Sequence, residues 1–310
     1  MTSGPGRLLL LDSASMYFRA FHGVPDSVRA PDGTPVNAVR GFLDMTATVL
    51  RGYPPARLVA CWDDDWRPAF RVALVPTYKA HRLAHGLDPA ANVEETPELL
   101  SPQVDIIAAV LAALGIARVG SAGFEADDVI GTLAARDAGP VQVVSGDRDL
   151  VQLVDDARGV QVLYIGRGVA RLEVLDEAAV QAKYGIPGRA YADLAALRGD
   201  PSDGLPGVPG VGAKTAADLV RRWGSVEALL AALDAGDPDV AARARLAGAR
   251  DYLQAAIRVT RVRTDCPLPP LDDRLPARPA DPEGLLELSD RWGLDSSVNR
   301  VLVAMRDAAA

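Results

Sequence analysis

Three short apolar runs divide the first half of the chain, and each ends at aspartate. Residues 8–11 run into Asp12, residues 58–62 run into Asp63, and residues 141–144 lead through Ser145 and Gly146 to Asp147 and Asp149. Runs this short and this apolar predict buried strands, and the stretches between them are long enough for helices. That alternation predicts a parallel sheet built from βαβ units. Parallel strands present their carboxyl ends at one edge, where open α/β sheets place their sites. Carboxylates far apart in sequence are therefore expected to converge there. Such a crowd is unfavourable unless cations sit among it.

The remaining pattern fills in the elements. A short helix or turn is expected at about 15–21 and a helix over 36–51. Residues 64–102 are polar and Pro-containing, and a loop that long is usually functional or mobile. Ser101-Pro102 starts a helix over 103–114, with Pro in the first turn and Gly115 at its end. A short strand at 116–119, a helix at 124–135 and, after the loop from Asp147 to Asp149, a helix through Val154 follow. Residues 160–165 and 169–174, joined by Gly166-Arg167-Gly168, predict a β-hairpin. From Asp176 onward the pattern is helical, interrupted by a Gly/Pro-rich hairpin at 204–212 and by a Pro/Asp-rich linker or surface wrap at 265–283. A helix pair closes the chain at about 283–309.

At 310 residues, 49% hydrophobic and 24% charged, the chain can build one large domain or two smaller ones. Its two cysteines argue against a disulfide framework, and Cys61 falls inside a predicted strand. A reducing, cytoplasmic compartment is expected, with no signal peptide and no membrane span. The net charge of −8 counts against nucleic acid when taken as a total. Clustered acids change that, because bound metals neutralise them locally.

The acids do cluster. Glu125, Asp127 and Asp128 fall at a predicted helix start, Asp147 and Asp149 at a strand end, and Asp200 and Asp203 in Gly-Asp-Pro-Ser-Asp-Gly. Each group has an ordinary explanation: acids favour helix N-termini, and aspartates cap turns. With Asp12 and Asp63 they make five stations at predicted strand ends or helix starts, and jointly they favour a metal site. Oxygen-only ligation suits Mg²⁺ or Mn²⁺ rather than Zn²⁺. The three histidines, His22, His81 and His85, lack zinc spacing. So many carboxylates suit two or more ions, as in phosphodiester hydrolysis.

Basic and aromatic residues follow the second strand: Arg67, Arg71, Tyr78, Lys79 and Arg82. Lys79 and Arg82 would share a helix face, and Tyr78 could stack on a base. Against a merely solvated helix face, the neighbouring acids favour phosphate binding. Gly207-Val208-Pro209-Gly210-Val211-Gly212-Ala213-Lys214-Thr215 is neither a P-loop nor a dinucleotide fingerprint. It fits a tight hairpin feeding a helix N-terminus, which is either a structural turn or a sequence-independent phosphate grip.

In this order the motifs resemble the 5′-3′ exonuclease/flap endonuclease family. They are Asp12 with Arg19-Ala20-Phe21-His22, Trp62-Asp63 with Phe70-Arg71, Tyr78-Lys79-Ala80-His81-Arg82, the stretch from Glu125 to Ile130, Gly146-Asp147-Arg148-Asp149-Leu150, and the long motif from Gly199 to Ala216. They span about residues 8 to 220 and look like a stand-alone bacterial member without a polymerase domain. The resemblance implies a PIN-like three-layer α/β/α core with a mostly parallel sheet over 1–175, a helical arch at about 76–102, and a helix-hairpin-helix region with closing helices over 176–310. It implies a first metal group of Asp12, Asp63, Glu125, Asp127 and Asp128, as ligands or as holders of the metal's waters, and a second of Asp147, Asp149, Asp200 and Asp203. Lys79 and Arg82 would act on the scissile phosphate and Tyr78 would stack on the reacting nucleotide. Arg19, Arg71, Gly207, Gly210, Gly212, Lys214 and Thr215 would hold DNA, with K⁺ at the hairpin.

The activity implied is two-metal hydrolysis of DNA at 5′ ends or flaps, in replication and repair. A nucleoid-associated monomer linked to DNA polymerase and ligase is expected. Three positions depart from the family pattern: Trp62 replaces the usual Phe, Asp63-Asp64-Asp65 leaves the register open with Asp63 preferred, and Gly204 replaces Asn. The rival readings are a non-catalytic DNA-structure binder and a two-metal ribonuclease or phosphatase.

Overall fold

A computed structural model describes residues 6–86, 88–241 and 244–309. Six strands form one sheet: β1 (Leu8–Asp12), β2 (Arg57–Cys61), β3 (Ala117–Val119), β4 (Val141–Ser145), β5 (Val160–Tyr164) and β6 (Glu173–Leu175). Their spatial order is β3-β2-β1-β4-β5-β6, and only the β5–β6 pair is antiparallel. Side chains alternate between the two sheet faces, and both faces are covered. Leu8 and Leu10 belong to one core and Leu9 and Leu11 to the other. This explains why β1 is apolar throughout rather than alternating.

The helices are α1 (Ser13–Gly23), α2 (Asn37–Gly52), α3 (Ala69–Leu74), α4 (Ser101–Leu114), α5 (Ala126–Arg136), α6 (Glu177–Tyr184), α7 (Tyr191–Arg198), α8 (Ala213–Trp223), α9 (Val226–Asp234), α10 (Pro238–Ala241), α11 (Ala244–Gly248), α12 (Arg250–Thr260), α13 (Pro282–Trp292) and α14 (Asp295–Ala308). Helices α1, α2, α4, α13 and α14 contribute to the core on one face; α5, α7, α8, α9 and α12 contribute to the core on the other. The result is the expected three-layer α/β/α architecture with a helical C-terminal region. No helix among the described residues is long and apolar enough to cross a membrane.

Four expectations need correction. The helical arch is not helical: between Leu74 and Ser101 the described residues form only two single 3₁₀ turns, Ala80–Arg82 and Pro89–Ala91, and a bridge between Leu83 and Glu94. Pro76, Pro89 and Pro97, with no apolar stripe at helical spacing, account for this. The segment after Asp149 is a 3₁₀ turn, Asp149–Leu153. The hairpin's second strand starts only at Glu173, because Val169–Arg171 is a 3₁₀ turn. Glu125 caps α5 from outside, so that helix begins two residues later than the pattern suggested. The 265–283 stretch is a wrap: Leu58 N–H donates to the Asp273 carbonyl at 2.7 Å, and Arg57 pairs with Asp137 and Asp273.

Candidate active site

Each strand of the central trio delivers an acid to the carboxyl edge of the sheet. Asp12 ends β1 and caps α1, accepting from the Ser15 amide at 3.1 Å and from Ser145 Oγ at 2.5 Å. Asp63 lies two residues beyond β2 and accepts from the Ala126 amide, the first residue of α5, at 2.7 Å. Asp147 lies two residues beyond β4, its amide donating to Ser145 Oγ. Asp127 joins them from the first turn of α5.

These four acids and Glu125 line a cavity of about 280 Å³, together with Lys79, Arg82, Trp66, Phe18 and Glu94. Phe18, Arg82 and Glu94 also border an adjoining hollow of about 730 Å³, into which His22 and His81 face. Lys79 and Arg82 do not lie on an α-helix as expected. The tight 3₁₀ turn nevertheless eclipses positions three apart, so both still reach the same cavity.

The cavity's electrostatics follow from its donor set. Burial pushes the Asp12 carboxyl up to about 7, with Asp63 and Asp147 adding to the shift and the Ser145 and Ser15 hydrogen bonds opposing it. Burial raises Asp63 as well, opposed by the Lys79 charge. Asp127 is raised well above the usual carboxylate range by burial and then by Asp147 and Asp12. Acids this desolvated and this close together destabilise one another's charge. A multivalent cation would reverse that, and oxygen-only ligands match Mg²⁺ or Mn²⁺. Among the described residues no three His, Cys, Asp or Glu side chains are grouped closely enough to hold an ion as they stand. The acids border a space rather than close around a point.

The rest of the second acidic group, Asp149, Asp200 and Asp203, adjoins Asp147 and is split in its roles. Asp149 is raised by burial and by Asp147, Asp203 and Asp200, so the four acids are electrostatic neighbours. Burial lifts Asp203 to about 6, with Lys79 opposing. Asp200 is turned inward: one oxygen accepts from the Ser202 amide and hydroxyl and the other pairs with Arg198. It is a turn cap here, as its ordinary reading allowed.

Three residues of the expected site serve the interior instead. Asp128 is fully buried, its oxygens taken by Arg71 at 2.6 and 2.7 Å and by the Glu125 and Arg263 amides, which leaves none for a metal. Arg71 is 3% exposed and bonded to Glu125, Asp128 and the Val259 carbonyl, so it cannot touch DNA. Tyr78 is buried, and its hydroxyl donates to Glu125 at 2.7 Å, so its ring is not open to a base. Glu125 borders the cavity but holds Arg71 and Tyr78 on one oxygen and Lys79 on the other. Burial disfavours charge on Lys79, and Glu125, Tyr78 and Asp203 together more than compensate, so the ammonium is held charged.

The glycine hairpin connects α7 to α8. Gly210, Gly212 and Lys214 are exposed and Thr215 is half-buried at the start of α8. Gly207 is not a phosphate contact. Its amide donates to the Tyr252 hydroxyl at 2.9 Å, and a Cβ there would lie 2.4 Å from the Arg198 carbonyl oxygen. Arg19 lies over Gly146 beside the cavity, and its Nε is buried without a hydrogen-bond partner among the described residues.

Sequence reasoning missed Glu94, Phe18, Ser15 and Ser145. Glu94 is raised by burial and sits near Arg82, Lys79 and Asp63. Nothing in its polar loop marked it. Ser145 was in view as the residue between strand and acid, and its hydroxyl ties Asp12 to Asp147.

Comparison with known proteins agrees with this geometry. Residues 7–185 match the family model of the 5′-3′ exonuclease N-terminal resolvase-like domain, and residues 186–283 match that of the 5′-3′ exonuclease C-terminal SAM fold. A 5′-3′ exonuclease of Streptomyces coelicolor is 57% identical over 96% of this chain and 99% of its own length. DNA polymerase I of Mycobacterium bovis is 41% identical over 91% of this chain but only 30% of its own. The solved flap endonuclease D15 of bacteriophage T5, in complex with DNA and metal ions, superposes with a TM-score of 0.61 at 17% identity, covering 96% of this chain and 99% of that one. With both family models matched in order and high identity over nearly the whole chain, this protein belongs to the 5′-3′ exonuclease family.

Proposed function

We propose that the protein is a divalent-metal-dependent 5′-3′ exodeoxyribonuclease and 5′-flap endonuclease that removes primers and flaps in replication and repair. The observation that carries this is the convergence of Asp12, Asp63, Asp127 and Asp147 on one cavity that Lys79 and Arg82 also enter. These four acids would hold the ions, with Asp149 and Asp203 alongside. Mg²⁺ or Mn²⁺ there would lower the pKa of an attacking water and offset charge on the leaving oxygen.

The chain's own residues do the rest. Lys79, kept charged, brings positive charge to the side of the cavity where a scissile phosphate would enter, and Arg82 adds a second donor. Asp12 is locked by Ser15 and Ser145, so the acid edge is preorganised rather than assembled on binding. The exposed amides around Gly210 and Gly212, with Lys214 and Thr215, offer a sequence-independent hold on duplex backbone, with K⁺ at the hairpin carbonyls. Specificity for DNA shape follows, since amides and charged side chains of this kind hold phosphates without reading sequence. The T5 enzyme's DNA and metal complex and the polymerase I relative support DNA as substrate and a functional link to polymerase; a link to ligase is part of the same proposal. We further propose a cytoplasmic, nucleoid-associated monomer.

The test is cleavage of an end-labelled 5′-flap duplex with and without Mg²⁺. The expected result is metal-dependent release of short 5′ products, lost in Asp127→Asn and Asp147→Asn with DNA binding retained. Equal cleavage by both variants would overturn the assignment, and a preference for RNA or for free nucleotides would move it to a ribonuclease or phosphatase.

A further inference from the structure

One loop joins the duplex-gripping hairpin to the catalytic lysine. Residues 200–205 are closed on themselves, because Asp200 and Leu205 exchange amide-to-carbonyl bonds of 2.9 Å in both directions. The segment carrying Lys79 is clasped to this loop by three polar contacts. Thr77 Oγ1 donates to the Gly204 carbonyl at 2.9 Å, the Lys79 amide donates to the Asp203 carbonyl at 2.9 Å, and Arg82 Nη2 donates to the Ser202 carbonyl at 2.7 Å. Beneath them Leu205 packs with Val75, Tyr78 and Val259 in a small apolar cluster of its own.

The fit is close at two places. Gly204 has φ +70° and comes so near that a Cβ would lie 2.2 Å from the Thr77 carbonyl oxygen. Lys79 has φ +48°, an uncommon left-handed conformation for a lysine, and one that the surrounding structure has to impose. Its amide bond to Asp203 is one of the contacts that do so. Two residues beyond Leu205 the chain enters the hairpin whose exposed Gly210, Gly212 and Lys214 face solvent.

We propose that the 200–205 loop is a positioning element, with Thr77 and Gly204 as its positioning residues. It transmits seating of the hairpin on duplex to the placement of Lys79. This inference rests on the nuclease reading above. Cleavage should then depend on duplex long enough to occupy the hairpin, through turnover rather than through affinity. A displacement of about 1 Å at a catalytic group lowers rate by up to about a hundredfold, so loss of the clasp should be read in kcat.

The experiment compares kcat and KM on 5′-flap substrates whose duplex arm is shortened stepwise, for the wild-type chain, Thr77→Val and Gly204→Ala. Thr77 is exposed, so Thr77→Val removes one hydrogen bond without disturbing a core. The expected result is a wild-type kcat that rises with arm length. Both variants should lose that rise, with kcat about tenfold lower on long arms, near-equal rates on the shortest, and unchanged KM. A wild-type kcat independent of arm length overturns the proposal. So do variants that keep the rise, that change only KM, or that lose rate equally on every arm in step with a lowered melting temperature. A wild-type protein inactive on all 5′-ended DNA overturns the nuclease reading, and this inference with it.

Discussion

Replacing Arg71 should unfold the protein before it affects DNA binding. The guanidinium is 3% exposed and makes bonds of 2.5 Å to Glu125, 2.6 and 2.7 Å to Asp128, and 3.0 Å to the Val259 carbonyl. Its partners' side chains are 5% and 0% exposed, so neither carboxylate can turn to water when the cation is removed. Arg71→Met keeps volume and stem and deletes the charge. Breaking a buried ion pair from one side costs about 3–5 kcal/mol. Total stabilities lie at about 5–15 kcal/mol, so this is from about a fifth to all of what such a fold has. Urea unfolding monitored by circular dichroism measures the loss, and fluorescence anisotropy with a labelled flap duplex measures affinity at temperatures where the variant is folded. Arg71→Lys should recover little, because an ammonium cannot span both carboxylates and the carbonyl. Arg71→Met with Asp128→Leu should recover part of the loss. A stability change under about 1 kcal/mol with weakened DNA binding would refute this account and return Arg71 to the surface-contact class.

Lys79→Ala should lower kcat by about 10²- to 10³-fold with little change in DNA affinity, as measured by single-turnover cleavage against anisotropy; a fall in affinity alone would make it a plain phosphate contact. Gly207→Ala should destabilise the fold by about 1–3 kcal/mol in thermal unfolding, because its φ of +72° and the Arg198 backbone 2.4 Å from a Cβ leave no room. Burial pushes the Asp137 carboxyl up, but the Arg57 bonds and charge and the Gly139 amide more than offset this and leave it below its usual value. A depressed carboxylate adds stability that is present above its unfolded pKa and lost as pH falls through its folded one. Stability should therefore drop below about pH 4, and Asp137→Asn should flatten that part of the profile.

What the sequence disclosed depended on how local the signal was. Asp12, Asp63 and Asp147 were legible because each follows a short, mostly apolar run directly or within two residues, which fixes strand, direction and edge together. The hairpin at 207–212 was legible from its glycines. Arg71 and Tyr78 were misplaced because charge and aromaticity after a strand suggest a surface, whereas burial here depends on Asp128 and Glu125, more than forty residues away in the chain. Asp128 was overcounted for the complementary reason: its partner could not be named without the fold. The arch was expected from resemblance alone, against a local sequence whose prolines already opposed a helix. Glu94 carried no local mark at all.

The alternation of β1 has a consequence for how this chain can change. Leu8 and Leu10 serve one core, Leu9 and Leu11 the other, and Asp12 follows in the same register. Adjacent strands stand about 4.8 Å apart, so the sheet itself is the ruler that spaces the acids of β2, β1 and β4. A slip of one residue in β1 would set leucine in place of leucine at the inner positions, but it would carry Arg7 or Asp12 into a buried apolar place and withdraw Asp12 from the edge in the same event. Foldedness and chemical competence are therefore inseparable at this strand: a population that retains the fold retains the geometry of its acids, and drift in activity has to come from the loops beyond the sheet edge.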